Sequence, residues 1–128
     1  MDTATMNKAE TPGSGTILIL NPAEINGLPW QAIPGCPGTV AKDLWRSGDL
    51  HDALISYEPG SATPGRPHPG ADHHIWVISG SASIAGRPVG AGCYVHVPPG
   101  TEHPITDVGE DGCLLLQMHR PLPNGTPR

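Results

Sequence analysis

The sequence contains no phenylalanine and only five aromatic residues, three tryptophans and two tyrosines. An apolar core must therefore be built mainly from valine, isoleucine and leucine. Basic residues are also scarce, because seven Lys and Arg stand against twelve Asp and Glu, for a net charge of −5. Without a basic stripe to neutralise a phosphate backbone, binding to nucleic acid is not expected.

The sequence also shows no recognisable membrane span, signal peptide or disulfide pattern. No apolar run reaches the roughly 18 residues of a transmembrane helix. The N-terminus lacks the basic region and apolar stretch of a signal peptide. Three widely spaced cysteines, Cys36, Cys93 and Cys113, form neither a disulfide framework nor a CxxC zinc motif. We therefore expect a cytoplasmic protein that does not bind membranes.

Glycine and proline are abundant, with 17 and 16 residues in a chain of 128 that is 37% hydrophobic. Short apolar runs separated by these residues indicate short strands and tight turns rather than disorder. The predicted strands cover 49–58, 74–79, 82–85, 93–97 and 113–118, after a β-prone run at 16–20 and a segment, 21–45, expected to wrap the surface in extended pieces. This pattern, without a long amphipathic helix, predicts an all-β sandwich or barrel.

The domain division follows from the same pattern. We expect one β-barrel domain over residues 16–120, because the chain is long enough for one core and too short for two. Residues 1–15 are polar and glycine-punctuated and are expected to form a flexible N-terminal tail. Residues 121–128 are expected to form a loosely attached C-terminal tail.

Two histidine-bearing stretches lie between spaced glycines. The second, from Gly92 to Asp107, reads GCYVHVPPGTEHPITD. It resembles the second motif of the cupin family, which is G, five residues, PxG, two residues, H, three residues and N. The matching positions are Gly92, Pro98, Gly100 and His103, and Asp107 stands in place of the Asn.

The first stretch, from Gly60 to Gly80, resembles the first cupin motif, which is G, five residues, HxH, three or four residues, E, six residues and G. Gly60, His68 and Gly80 are in register. Two ligand positions differ, because Arg66 replaces the first His and His73 replaces the Glu. With flanking strands, the resemblance covers about residues 45–120 and implies a single-domain cupin, the double-stranded β-helix or jelly-roll barrel.

The residues themselves also support a metal site. A tight turn at Pro98–Gly100 can bring His103 opposite His68 and His73, and three imidazoles suit a late first-row divalent metal with open positions for substrate. Arg66 lies two residues before His68 and shares its face. It cannot ligate a metal, since its guanidinium has no free lone pair, so it either holds a substrate oxyanion or pairs with a loop carboxylate at the surface.

Neighbouring strand residues point to opposite faces, so at most one of His73 and His74 can face the cavity. The motif register favours His73, and a one-residue slip would make His74 the ligand instead. Gln117, in an otherwise apolar run, is expected to line the pocket. His51, His96 and His119 match no motif position. His96 either lines the cavity or, as is more common, is a hydrogen-bonded structural residue, and His119 is expected at the surface.

Function stays open at this stage between two classes. The segment at 28–45 and the all-nitrogen ligand set are similar to small acetylacetone-cleaving dioxygenases, which implies an iron-dependent enzyme acting on an enolisable, diketone-like substrate. Residues 68–80 and the ending EDGCLLLQMHRP resemble the cupin domain of ChrR-type anti-sigma factors, which implies a sensor. No helical sigma-binding domain is recognised, so that reading favours a free-standing sensor or accessory protein.

Non-redox isomerase, cyclase or lyase chemistry is the third alternative. Iron is the favoured metal, with Mn, Ni, Cu or Zn as alternatives, because imidazole suits several of these ions. We expect a small-molecule substrate or ligand as the partner. The resemblance also implies a homodimer.

Overall fold

The computed structural model describes residues 15–123, so the predictions for residues 1–14 and 124–128 lie outside the described residues. The elements are α1 (Pro22–Gly27), β1 (Gln31–Ala32), β2 (Thr39–Ser47), β3 (Leu50–Tyr57), β4 (Ala71–Ile84), β5 (Arg87–Gly90), β6 (Tyr94–Val97), β7 (Ile105–Thr106) and β8 (Cys113–Pro121). The architecture is therefore mostly β, as predicted, with one short helix among the described residues.

The segment 21–45, predicted to wrap the surface in extended pieces, contains a short helix as well as strands. Helix α1 begins with a capping box, in which the Asn21 side chain accepts from Glu24 N and the Glu24 carboxylate accepts from Asn21 N. Pro22 follows the cap, where a missing N–H costs nothing. Further along, β2 is a full sheet strand. A helix of six residues is far too short and polar to cross a bilayer, and no other helix is found in residues 15–123.

The sheet is antiparallel and is organised around β4. One side runs in the order β1-β2-β3-β8-β4 and continues from the first half of β4 to β6. The second half of β4 pairs instead with β5 and β7. The two short strands predicted at 74–79 and 82–85 are thus one strand of 14 residues that belongs to both layers. This shared strand connects the two layers.

The bend in β4 has a local cause. Its register against β8 shifts between Val77 and Ser79, which marks a bulge at Ile78. Gly80 follows with φ of +76°, and a Cβ on it would lie only 2.0 Å from the Gly112 carbonyl oxygen. Only glycine fits so close an approach with this backbone conformation.

The inward-facing side chains are apolar at one end of the barrel and polar at the other. One end is an apolar core built largely from valine, isoleucine and leucine, as the lack of phenylalanine predicts. Its members are Ile55, Tyr57, Ile75, Val77, Ala82, Ile84, Val97, Ile105, Val108, Cys113 and Leu115. The inward positions at the other end of β4 and β8 carry polar side chains. Those positions form the candidate site.

Candidate metal centre

Strand pairing brings two histidines together inside the barrel. His73 on β4 lies directly opposite His119 on β8, and the inward neighbours on the same strands are Ile75 opposite Gln117 and Val77 opposite Leu115. His73 is 3% exposed. Its Nε2 lies 2.7 Å from Nδ1 of His119, so one ring donates a hydrogen bond to the other.

The loop before β4 carries Arg66 and His68, and its backbone is hydrogen-bonded to the segment that carries His103. The Gly65 carbonyl accepts from His103 N at 2.9 Å, and Gly100 N donates to the His68 carbonyl at 3.2 Å. The two motif-bearing stretches are therefore joined by backbone hydrogen bonds. This arrangement is what positions both of their histidines at one place.

The four rings of His68, His73, His103 and His119 form one cluster. The ring centroids of His68 and His73 are 4.4 Å apart, and those of His73 and His119 are 4.9 Å apart. The His103 centroid is 5.3 Å from His73 and 6.0 Å from His68. His103 is buried, and its Nδ1 donates to the Thr101 carbonyl at 3.3 Å. Its Nε2 therefore carries a lone pair.

His119 is the residue that the sequence-based prediction missed. It was expected at the surface, but it belongs to the tightest group, in which ligand atoms of His68, His73 and His119 all lie within 4.8 Å of one another. The sequence offered one signal, because Gln117 was expected to line the pocket and His119 lies two residues further along the same strand, on the same face. Cys113 and Leu115 are buried, and the alternation of strand faces continues that row through Gln117 to His119.

Burial favours the neutral form of three of these imidazoles, those of His68, His73 and His119. Loss of solvation lowers the pKa of His73 to about 3, and the neighbouring His68, His119 and His103 add to the effect. The pKa of His68 is lowered by desolvation and then by His103 and His119. Desolvation also lowers the pKa of His119. Neutral imidazole is the form that donates a lone pair to a metal.

The donor set fits a metal ion. Two nitrogens bonded to one ion at about 2.1 Å lie roughly 3–4 Å apart, so the group of three closes on an ion with side-chain shifts of about 1 Å. Nδ1 of His73 is also buried without a hydrogen-bond partner among the described residues. Leaving an imidazole nitrogen buried and unpaired is costly. A bound ion would give this ring a second partner.

A cavity of about 340 Å³ opens beside the cluster. His68, His73 and His103 line it together with Arg66 and Gln117, so both residues predicted to contact substrate border the same space. The remaining lining residues are Ile33, Pro34, Gly35, Cys36, Tyr57, Thr63, Pro64, Gly65 and Ile105. No acidic residue of the described chain lines this cavity, and Arg66 is its one fixed positive charge.

His74 lies outside the barrel. Its Nδ1 is 2.6 Å from the Tyr94 hydroxyl, and its ring stacks on His96. Outward neighbours such as Trp76 are exposed, whereas Ile75 and Val77 are fully buried. The strand register therefore separates His73 and His74 to opposite faces, with His73 in the cluster.

Several solved structures share this fold. KdgF from Halomonas sp. aligns with a TM-score of 0.65 and 22% identity over 77% of this chain and 93% of that one. The polyketide cyclase RemF from Streptomyces resistomycificus gives 0.68 and 18% over 80% of each chain. A predicted oxalate decarboxylase from Thermotoga maritima gives 0.72 and 18% over 82% of this chain and all of the other. At these identities the likeness shows the fold alone.

No curated protein matches the sequence. The family of the ChrR cupin-like domain matches residues 22–123, which include every strand and all four clustered histidines. Because this match covers most of the chain and agrees with the barrel, the protein belongs to the ChrR cupin-like domain family.

Proposed function

We propose that this protein is a metal-dependent dioxygenase that acts on a small, enolisable, diketone-like substrate. The observation that carries the proposal is an imidazole cluster that contains no carboxylate and borders a small cavity. Neutral nitrogen ligands leave the charge of a divalent ion uncompensated, which favours binding of an anionic substrate beside it.

Three ligands are proposed to be His68, His73 and His119, the group with the closest donor atoms. His103 borders the same group and presents its free Nε2, so it is the fourth candidate. The set derived from the sequence, His68, His73 and His103, is the alternative. Iron is the favoured ion, and Mn, Ni, Cu and Zn also suit imidazole.

The chain's own residues have separate tasks in this proposal. Arg66 holds the negatively charged oxygen of the substrate, since its guanidinium stays protonated and makes no ion pair within residues 15–123. The Gln117 amide orients the other oxygen. Burial raises the pKa of Tyr57, so its phenol stays protonated at the cavity wall. When bound, a ferrous ion would supply Lewis acidity and a site for O2.

A non-redox reaction on the same substrate class is the second candidate. It is supported by the fold neighbours, which include a polyketide cyclase and a predicted oxalate decarboxylase. Both candidates need the metal, and only the dioxygenase consumes O2. A ligand-sensing role, suggested by the family, predicts binding without turnover.

Metal analysis and oxygen uptake separate these functions. Purified protein reconstituted anaerobically with Fe²⁺ is expected to bind one ion tightly and to consume O2 with acetylacetone. His119→Ala and His103→Ala should be compared, with Met118→Ala, on the opposite face of β8, as the control. His119→Ala is expected to lose tight iron binding, and Met118→Ala to retain it.

Each outcome has a clear meaning. Iron retained in His119→Ala but lost in His103→Ala would favour the ligand set from the sequence. Tight iron with no O2 uptake, but with substrate turnover, would replace the dioxygenase by the non-redox enzyme. Absence of tight metal binding in the wild type would reject every metal-dependent function.

A further inference from the structure

A short apolar segment, residues 16–20, lies against the outer side of the sheet. Its sequence is TILIL, and Leu18 and Leu20 are half-buried and border a small cavity whose other wall is formed by β2, β3 and β8. The alternate side chains, Ile17 and Ile19, are 82% and 72% exposed. The segment is thus apolar on both of its sides, which is typical of a chain that is covered from two directions.

The apolar segment also has no strand partner of its own. It is β-prone, yet the backbone of residues 17–20 makes no hydrogen bond with any part of the chain from residue 15 to residue 123. An extended apolar run with unpaired backbone groups is a ready template for contact with another chain. Both its exposed side chains and its backbone therefore leave room for a partner.

Next to the apolar segment, part of the outer sheet is uncovered. Trp76 on β4 lies between Leu116 on β8 and Tyr94 on β6 in the register, and all three point outward. Leu116 borders the cavity beneath the apolar segment, whereas Trp76 and Tyr94 are 47% and 55% exposed. Ile78, at the bulge in β4, is 42% exposed. Three exposed side chains, Trp76, Ile78 and Tyr94, thus form a bare face.

The two stretches outside the described residues are poorly suited to cover this surface. Residues 1–14 and 124–128 contain no valine, leucine, isoleucine or aromatic residue. A contact of this kind is stabilised by removing apolar surface from water, and these stretches offer no larger apolar side chain than methionine. A second copy of the chain, by contrast, presents an apolar segment whose outer side also needs a cover.

We propose that two copies of this chain form a two-fold symmetric dimer, in which the apolar segment of each copy packs on the bare face of the other. The two surfaces lie side by side on one copy, so a two-fold axis between them makes both contacts at once. Ile17 and Ile19 of each copy meet Trp76, Ile78 and Tyr94 of the other, and none of these side chains is charged. The homodimer expected from the cupin resemblance thereby has defined contact surfaces, which are independent of the proposed dioxygenase function.

The exposed area is large enough for such a dimer. At about 200 Å² for a fully exposed large side chain, the five residues expose roughly 600 Å² in each copy. Covering them in both copies removes about 1,200 Å² from water, the lower end of the range for specific interfaces. Interfaces of this size have dissociation constants of about micromolar order or tighter.

Sedimentation velocity of the full-length chain, at concentrations from about 1 to 100 µM, measures this association. The wild type is expected to reach twice the mass of one chain. Ile19→Glu and Trp76→Arg should each weaken the dimer by about thirtyfold or more, because each places an unpaired charge in an apolar contact. Leu50→Glu is the matched control. Leu50 is 37% exposed and lies four residues along β3 from Leu54, which is in the register row of Trp76, so this variant should dimerise like the wild type.

An equimolar mixture of the Ile19→Glu and Trp76→Arg variants tests which surfaces meet. In a mixed dimer, one contact pairs the introduced carboxylate with the introduced guanidinium, and the other contact is that of the wild type. Dimers should therefore reappear in the mixture, although neither variant forms them alone.

Three results would overturn the proposal. These are a wild type that keeps the mass of one chain at every concentration, a dimer that persists in both variants, and a mixture that stays monomeric while circular dichroism shows both variants folded. If Trp76→Arg does not fold, Tyr94→Arg on the same bare face takes its place in the mixture.

Discussion

Gly65 lies where the loop that carries Arg66 packs directly against the backbone of His103 and Pro104. Its φ is +59°, and a Cβ on it would lie 2.1 Å from the His103 carbonyl oxygen and 2.5 Å from Pro104 N. Both are backbone atoms that cannot rotate away. The Gly65→Ala substitution must therefore separate the loop from this segment by more than 1 Å before the contact becomes ordinary.

The expected cost has two parts. An L-residue in the left-handed region costs about 1–2 kcal/mol. Separating the backbones also breaks the hydrogen bond from His103 N to the Gly65 carbonyl, worth about 1 kcal/mol or more once its groups are left unpaired. We expect Gly65→Ala to reduce the free energy of unfolding by about 2–4 kcal/mol, a large share of the usual total. Because His68 and His103 move apart, metal affinity should fall as well.

Gly48→Ala is the matched control. Gly48 has φ of +57°, and a Cβ on it would have nothing within 4 Å in the described chain. It therefore reports the backbone cost alone, about 1–2 kcal/mol. Urea denaturation of both metal-free variants gives the two free energies of unfolding, and metal analysis gives the occupancy.

The difference between the two variants is the decisive quantity. If Gly65→Ala were no more destabilised than Gly48→Ala and bound metal normally, the close contact between the two motif-bearing stretches would be refuted. The account of how His68 and His103 are brought together would then be wrong.

Three further results are expected. The pKa of His73 falls from 6.5 to about 3 on folding, so between these pH values the unfolded chain binds more protons than the folded one. The metal-free protein should therefore lose stability as the pH falls from 6.5 towards 3. In acid-denaturation curves, the His73→Gln variant should show a weaker dependence of stability on pH. Arg66→Gln should raise the KM for an enolate-forming diketone more than it lowers kcat, and steady-state kinetics would contradict a substrate-binding role if KM were unchanged. Lys42 is buried, and its Nζ donates to the Ile25 carbonyl at 2.8 Å and lies 4.6 Å from the centre of the Trp30 ring. The Lys42→Met substitution should therefore lower the free energy of unfolding by about 2 kcal/mol. If urea denaturation gave the wild-type value, these contacts would contribute nothing to stability.

The strands were predictable where a short apolar run ends in glycine or proline. The predictions at 49–58 and 113–118 correspond to β3 and to most of β8. The prediction of two strands on either side of Gly80 was wrong, because glycine there bends a continuous β4 rather than ending it. The helix at Pro22–Gly27 was also missed, since its six residues give too short a periodic pattern.

The boundary at the C-terminal end is a further difference in detail. Strand β8 continues to Pro121, one residue beyond the predicted end of the barrel, and Leu122 N donates to the Gly70 carbonyl at 2.8 Å. Local sequence favoured a break at the proline. The hydrogen bond to Gly70, a residue distant along the chain, keeps this end of β8 in the sheet, and local sequence cannot reveal such a partner.

The β architecture, the small share of aromatic residues in the core and the spacing of His68, His73 and His103 could all be predicted from the amino-acid sequence. These features depend on local turns and on alternation along single strands. Which other groups meet the histidines depends on strand register across the sheet. The pairing of β4 with β8 and β6 places His119 opposite His73 and brings His74 next to His96 on the outer face. These contacts join residues that are distant along the chain, so the local pattern of residues does not reveal them.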